Sequence, residues 1–211
     1  MKVLSKTQSS TFAGRQRPGP SSRASRLILL FVVLICAFAF PASLAWSQTS
    51  ATSGYEVKTA FLFNFAKFID WPASSFPSPQ AAFTICVLGQ DPFGNVLDDT
   101  LLGKIIGVRP LVLHRLKDKN EARHCQMVFI SSSESARLPE IFASLQGTDV
   151  LLVGETPGFA ASGGTIEFTL EDNHVRFTIN LDAADRSGLK FSSKLLALAK
   201  IVHEERHSKG G

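Results

Sequence analysis

The chain has 211 residues, of which 45% are apolar, 19% charged and 9% aromatic. That balance excludes disordered and fibrous classes and suits one globular domain of roughly 150 residues plus an extension. The formal charge is +4, yet six basic residues (Lys2, Lys6, Arg15, Arg17, Arg23 and Arg26) fall in residues 1–45, which hold no acid. The other 16 basic side chains face 18 acidic ones, so the body carries no footprint for nucleic acid.

Arg23 and Arg26 precede an unbroken apolar run, Leu27 to Phe40, which breaks at Pro41. Ser43-Leu44-Ala45 then offers small residues at the two positions a signal peptidase reads, so residues 1–45 are expected to form a secretory signal peptide cleaved after Ala45. The alternative is an uncleaved anchor. Fourteen apolar residues fall short of the ~20 that span a bilayer, although reading on through Pro41 to Trp46 reaches that length. Ile35 before Cys36 argues against a lipoprotein site there. Export to an oxidising compartment favours pairing of the two remaining cysteines, Cys86 and Cys125, the alternative being two separate buried thiols.

Residues 46–54, rich in small polar side chains, read as a linker. A helix is expected from Tyr55 to Ile69, stopped by Trp71-Pro72, with Phe61, Phe65 and Phe68 on its core face. Val57 and Ile69 flank that face, while Glu56, Thr59, Lys67 and Asp70 lie opposite with Phe63 among them. Residues 73–81 form a loop, and 83–88 a short buried strand ending at Gly89. Gln90-Asp91-Pro92 opens a helix that Gly103 stops. Strand 110–116, a polar helix near 119–123, strand 126–130, helix 133–146 and strand 149–153 follow. Continuous apolar strands alternating with helices predict a parallel sheet covered on both faces. The alternating runs 165–170 and 174–179, joined by Glu171-Asp172-Asn173, predict an antiparallel hairpin. An amphipathic helix from Ser192 to His207 is expected to close the chain. The predicted architecture is a single-domain α/β/α sandwich with a mixed, largely parallel sheet.

No catalytic constellation stands out. His203-Glu204-Glu205-Arg206-His207 satisfies H-E-x-x-H, but it sits where a helix frays, with only four residues after it to supply a third zinc ligand. Gly89 to Gly94 lies where a phosphate loop would, without the G-x-G-x-x-G spacing or the Lys-Ser/Thr of a P-loop. Gly154 and Gly163-Gly164 read as turn glycines. No cofactor or metal is called for.

Two strings at the ends of the body are far more specific. Lys58-Thr-Ala-Phe-Leu-Phe-Asn-Phe-Ala-Lys-Phe-Ile-Asp-Trp-Pro72 and Asn180-Leu-Asp-Ala-Ala-Asp-Arg-Ser-Gly-Leu-Lys-Phe-Ser-Ser-Lys-Leu-Leu196 together resemble the YfiR-like periplasmic family over about residues 54–204. The resemblance implies an α/β sandwich, a homodimer, and a non-enzymatic regulator. Such a regulator binds the periplasmic sensor domain of a membrane-bound diguanylate cyclase and lowers cyclic di-GMP output and biofilm formation. It also implies sequestration by an outer-membrane, peptidoglycan-binding lipoprotein, and a disulfide at the positions of Cys86 and Cys125. A second bridge found in some members has no cysteines here. A small-molecule-sensing module reporting to a sensor kinase or transporter is the alternative.

A repressor needs an exposed apolar patch, for which Phe63 is the leading candidate against burial under a neighbour. Trp71 would anchor either the loop or a partner. Ser192 and Ser193 would cap the last helix or, with Lys190 and Lys194, hold a small ligand there, and Asn180 would orient the adjoining turn.

Overall fold

The computed structural model describes residues 46–203. The expected signal peptide and residues 204–207 of the H-E-x-x-H string lie outside them. Among the described residues no helix is long and apolar enough to cross a membrane.

The core is an eight-stranded sheet. Its strands are β2 (Phe83–Leu88), β3 (Ile105–Ile106), β4 (Arg109–Leu116), β5 (Met127–Ile130), β6 (Leu151–Gly154), β7 (Ile166–Glu171), β8 (His174–Asn180) and β10 (Lys200–Val202). Their order is β10-β8-β7-β6-β5-β2-β4-β3. Strands β4, β2, β5, β6 and β7 run parallel, while β8 pairs antiparallel with β7 and β3 antiparallel with β4. A separate two-stranded sheet joins β1 (Ile69–Asp70) to β9 (Lys190–Phe191). The α/β sandwich, the parallel sheet and the hairpin at β7–β8 therefore stand as expected.

Side-chain alternation sorts the strands onto two cores. On one face Phe83, Ile85, Val87, Met127, Phe129, Leu151, Val153, Ile166 and Phe177 meet helix α1 (Trp46–Phe68) through Leu62, Phe65 and Ala66. Helix α2 (Asn95–Leu101) joins them there with Leu97 and Leu101. On the other face Cys86, Leu88, Val128, Ile130 and Leu152 meet Ile141 of helix α3 (Leu138–Ser144) and the ring of Phe159. The Cys86–Cys125 disulfide, with Cα atoms 6.1 Å apart, is buried in this second core.

Several expectations are corrected. Residues 46–54 are helical rather than a linker: α1 starts at Trp46, since the stretch has no proline, its Ser, Thr and Gln cost only tenths of a kcal/mol each, and the single Gly54 costs about 1 kcal/mol. The buried stripe of α1 runs through Thr59, Leu62, Phe65 and Ala66 and continues into Ile69 of β1, so Thr59 is inside while Val57 is 40% exposed. Phe61 and Phe68 are half-buried beside that stripe. The helix expected from Gln90 begins at Asn95, after a turn in which the Phe93 amide donates to Asp91 Oδ1. The helix expected over 133–146 splits into a 3-10 turn, Ser132–Arg137, and α3. The closing helix shrinks to one turn, α5 (Ser193–Leu196), because the chain then extends as β10 to pair with Thr178–Asn180 of β8, an edge otherwise left open. His203 follows a strand, so the helix that H-E-x-x-H chemistry needs does not pass through it.

Gly154 and Gly164 owe their identity to packing rather than to turns. Phe159, fully buried, lies across both: a Cβ on Gly154 would sit 2.6 Å from its ring, and one on Gly164 would clash with it more severely. The segment carrying Phe159 is pinned from β7, where buried Glu167 accepts the amides of Gly158 and Ala160, each at 3.0 Å. Asn180 of β8 adds a third tie, its Nδ2 donating to the Ala160 carbonyl at 2.7 Å.

Gly164→Ala is expected to lower stability by about 1–3 kcal/mol through overpacking, and most of that cost should vanish in a Phe159→Ala background, as a double-mutant cycle from urea unfolding would read. Cys86→Ser should remove about 4 kcal/mol in the chain-entropy estimate for a loop spanning 39 residues. It is expected to lower Tm, as thermal unfolding would read.

Candidate functional site

Reversal of strand order creates a crevice. The chain leaving β2 crosses to β4 on one side, whereas the chain leaving β5 crosses to β6 on the other. Ligands of open α/β sheets bind outside the carboxyl ends of strands at such a switch point. Here the loops after β2 and β5 diverge and the first residue after β6, Glu155, stands beside them.

Tyr55 and Lys58, near the middle of α1, close this end. Lys58 Nζ lies 2.5 Å from Glu155 Oε2, both side chains being mostly buried. The Tyr55 hydroxyl donates to the same carboxylate, 3.2 Å from Oε1 and 3.3 Å from Oε2. The Lys58 ammonium lies 4.4 Å from the centroid of the Tyr55 ring, whose edge meets Phe93. Burial first, and then the charge and hydrogen bond of Glu155, push the Tyr55 phenol up to about 12. One helix is thereby tied to the end of a strand 97 to 100 residues away in sequence.

Two depressions meet at this trio. One, about 860 Å³, runs between α1 and the β7–β8 hairpin; Val57, Phe61, Phe168, Leu170 and Val175 make it chiefly apolar, and Arg176 and His174 stand at its rim. The other, about 320 Å³, is polar and is lined by Tyr55, Gln90, Asp91, Pro92, Ser131, Ser132, Ser133 and Glu155. Its walls are fixed. Arg115 Nε binds Asp91 Oδ2 at 2.7 Å and its other nitrogens reach Asp98, which holds the Arg115 guanidinium well above its usual range and the Asp98 carboxyl below its own. Ser133 Oγ accepts the Gln90 amide at 2.9 Å, a contact possible only because residue 89 is glycine: with φ of +91°, it would set a Cβ 2.6 Å from that oxygen. A third depression, about 660 Å³, lies between the C-terminal end of α3 and helix α4 (Leu181–Arg186), with Phe142, Leu152 and Arg186 among its walls.

The residues singled out from sequence gather at the opposite end. Trp71 Nε1 donates to the Gln126 carbonyl at 3.2 Å and its ring meets Phe83 edge-on at 4.8 Å, so it anchors the loop. Ile69 pairs with Phe191 and Asp70 with Lys190, and the Ser192 amide donates to the Phe68 carbonyl, which brings the two diagnostic strings together. Ser192 Oγ accepts the Leu195 amide as the cap of α5, while Ser193, Lys190 and Lys194 are exposed. Asn180 is fully buried and caps α4 through its Oδ1. Phe63 is half-buried against the first core, with Lys104 Nζ 5.9 Å from its ring centroid. Composition had no signal for the Tyr55–Glu155 site; the only clue was the position of Gly89 to Gly94 after a strand. Among the described residues no cluster of His, Cys, Asp or Glu could hold a metal ion.

A family model described as YfiR/HmsC-like matches residues 55–200. Among solved structures, a conserved domain protein from Vibrio cholerae is similar at 9% identity and TM-score 0.49, covering 69% of this chain and 60% of its own. An ABC domain from Streptococcus pneumonia in complex with L-Trp is similar at 9% identity and TM-score 0.45, covering 72% of this chain and 60% of its own. The chain thus spans about 60% of the length of each.

Tyr55 is the chain's single tyrosine, so tyrosinate absorbance reports it alone. The titration midpoint is expected at about 12, and Glu155→Gln should bring it down without reaching 10, since the burial contribution survives. A phenol raised on folding stabilises fully below pH 10 and loses that contribution as pH rises from 10 toward about 12. Urea midpoints should therefore fall across that window in the wild type and fall less in Glu155→Gln.

Proposed function

Since the chain belongs to the YfiR/HmsC-like family over residues 55–200, we propose that it is an exported, non-enzymatic periplasmic regulator. It acts as a homodimer on the periplasmic sensor domain of a membrane-bound diguanylate cyclase, lowering cyclic di-GMP synthesis and biofilm formation. An outer-membrane, peptidoglycan-binding lipoprotein relieves that restraint. Family membership over nearly all the body is the observation that carries this reading.

Surface chemistry supports it. Leu102, Ile105 and Val108 are 82%, 60% and 79% exposed, concentrated on the turns around β3, which is the outermost strand of the sheet. Turns at an edge are ordinarily polar, and apolar side chains left bare there suit contact with another protein. Phe63 borders this segment through Lys104. The β3 turns are therefore the better candidate for the docking face. The apolar depression along α1 favours a second reading, a small-molecule-sensing module that reports to a sensor kinase or transporter.

Affinity capture from the native membrane tests these readings. The wild-type protein is expected to recover a membrane protein with a GGDEF cyclase domain, and Leu102→Glu/Val108→Glu to lose roughly tenfold or more of that affinity with Tm unchanged. Recovery of a histidine kinase or transporter instead would install the second reading. Capture undiminished by the double substitution would move the docking face elsewhere.

A further inference from the structure

We propose that the polar crevice at the carboxyl ends of β2, β5 and β6 binds an uncharged polyhydroxylated small molecule of monosaccharide size. This rests on the ligand-sensing reading and deepens it by placing the ligand in the polar crevice at the switch point rather than in the apolar depression along α1.

Charge comes first. Both carboxylates lining the crevice already have cations within ion-pair distance, Asp91 with Arg115 at 2.7 Å and Glu155 with Lys58 at 2.5 Å. An incoming ion would meet no unpaired counter-charge there, and would lose hydration without compensation. The same carboxylates remain good acceptors for hydroxyl groups, because each oxygen has two lone pairs and only part of that capacity is used. Asp91 accepts from Phe93 and Arg115, and Glu155 from Lys58 and Tyr55.

The unused polar groups point to the same chemistry. The Gln90 side-chain carboxamide and the Ser132 hydroxyl are exposed and make no hydrogen bond among the described residues, whereas their neighbours are committed: Ser131 Oγ accepts the Ser133 backbone amide and Ser133 Oγ the Gln90 backbone amide. A free amide and a free hydroxyl on opposite loops offer donors and acceptors of both kinds, the pattern that a polyol matches and an apolar or singly functional ligand does not. Pro92 and Tyr55 supply flat apolar walls for the C–H face of a sugar ring. At about 320 Å³ the crevice lies at the small end of ligand sites. Its frame is held open by three separate ties, Gly89 against Ser133, Arg115 across Asp91 and Asp98, and Tyr55 and Lys58 on Glu155.

Calorimetric titration of the purified protein with glucose and N-acetylglucosamine, and with glucosamine and glucuronate as charged comparators, tests this. A neutral sugar is expected to bind saturably, and Ser132→Ala and Gln90→Ala each to weaken it roughly three- to tenfold. Both side chains lack protein partners, so the variants should keep the wild-type Tm. Amide NMR shifts should concentrate on residues 90–92, 131–133 and 155. Absence of saturable binding by both neutral sugars, tighter binding of a charged one, or affinity indifferent to both substitutions would each overturn the proposal. The assay contains no partner protein, so failure here leaves the membrane-capture result standing, and failure there leaves this one.

Discussion

Everything in this molecule depends on burying both faces of three short parallel strands. β2, β5 and β6 contribute side chains alternately to two cores, and every residue of β5 and β6 is buried. A sheet so enclosed cannot exist without cover on each side. On one side a long helix provides it; on the other the cover is shorter and less regular, a helix of about two turns, a disulfide and a loop that inserts Phe159. The irregular side accordingly needs more specific fastening. Glu167 and Asn180 hold the backbone of that loop, and Gly154 and Gly164 give up side chains to make room for the ring.

The strand faces were legible because they follow from local pattern. Runs such as FTICVL and QMVFI are continuous and apolar, and the alternation in β7 and β8 is periodic, so type and partner follow from the string itself. What escaped was set by distant contacts. The stretch after Leu196 has a helical pattern, yet Lys200–Val202 is a strand because an open edge of β8 is within reach. Gly154 and Gly164 look like any turn glycines until Phe159 is placed between them. Helix α1 shows a milder form of the same effect: its period is readable, but its phase is rotated by about one residue, so that Thr59 goes inside and Val57 out.

The same division explains which site residues could be found. Trp71, Ser192 and Asn180 stand out as unusual residues in specific strings, and each proves to hold structure: a loop anchor, a helix cap, a double tie. Their specificity reflects how the two ends of the domain are joined, since Phe68, Ile69 and Asp70 meet Lys190, Phe191 and Ser192 directly. The candidate binding end is made of ordinary residues, a tyrosine, a lysine, a glutamate and three serines, none of which forms a motif in sequence. They become a site only because the strand order reverses between β2 and β5.

The part of α1 that covers the sheet runs from Tyr55 at the carboxyl ends of the strands to Phe68 at the joined termini of the domain. Its register is fixed at one end by the Glu155 pair and at the other by the β1–β9 pairing, with packed aromatic rings between: Phe61 and Phe65 each contact both Phe168 and Phe177. A ligand that altered the Tyr55–Lys58–Glu155 trio would act on one fixed end of a stiff element whose middle carries Phe63 beside the exposed β3 turns. Coupling between the two surfaces would then need no new contact, only a bias in how this helix seats, because a well-packed core shifts between discrete arrangements rather than deforming continuously.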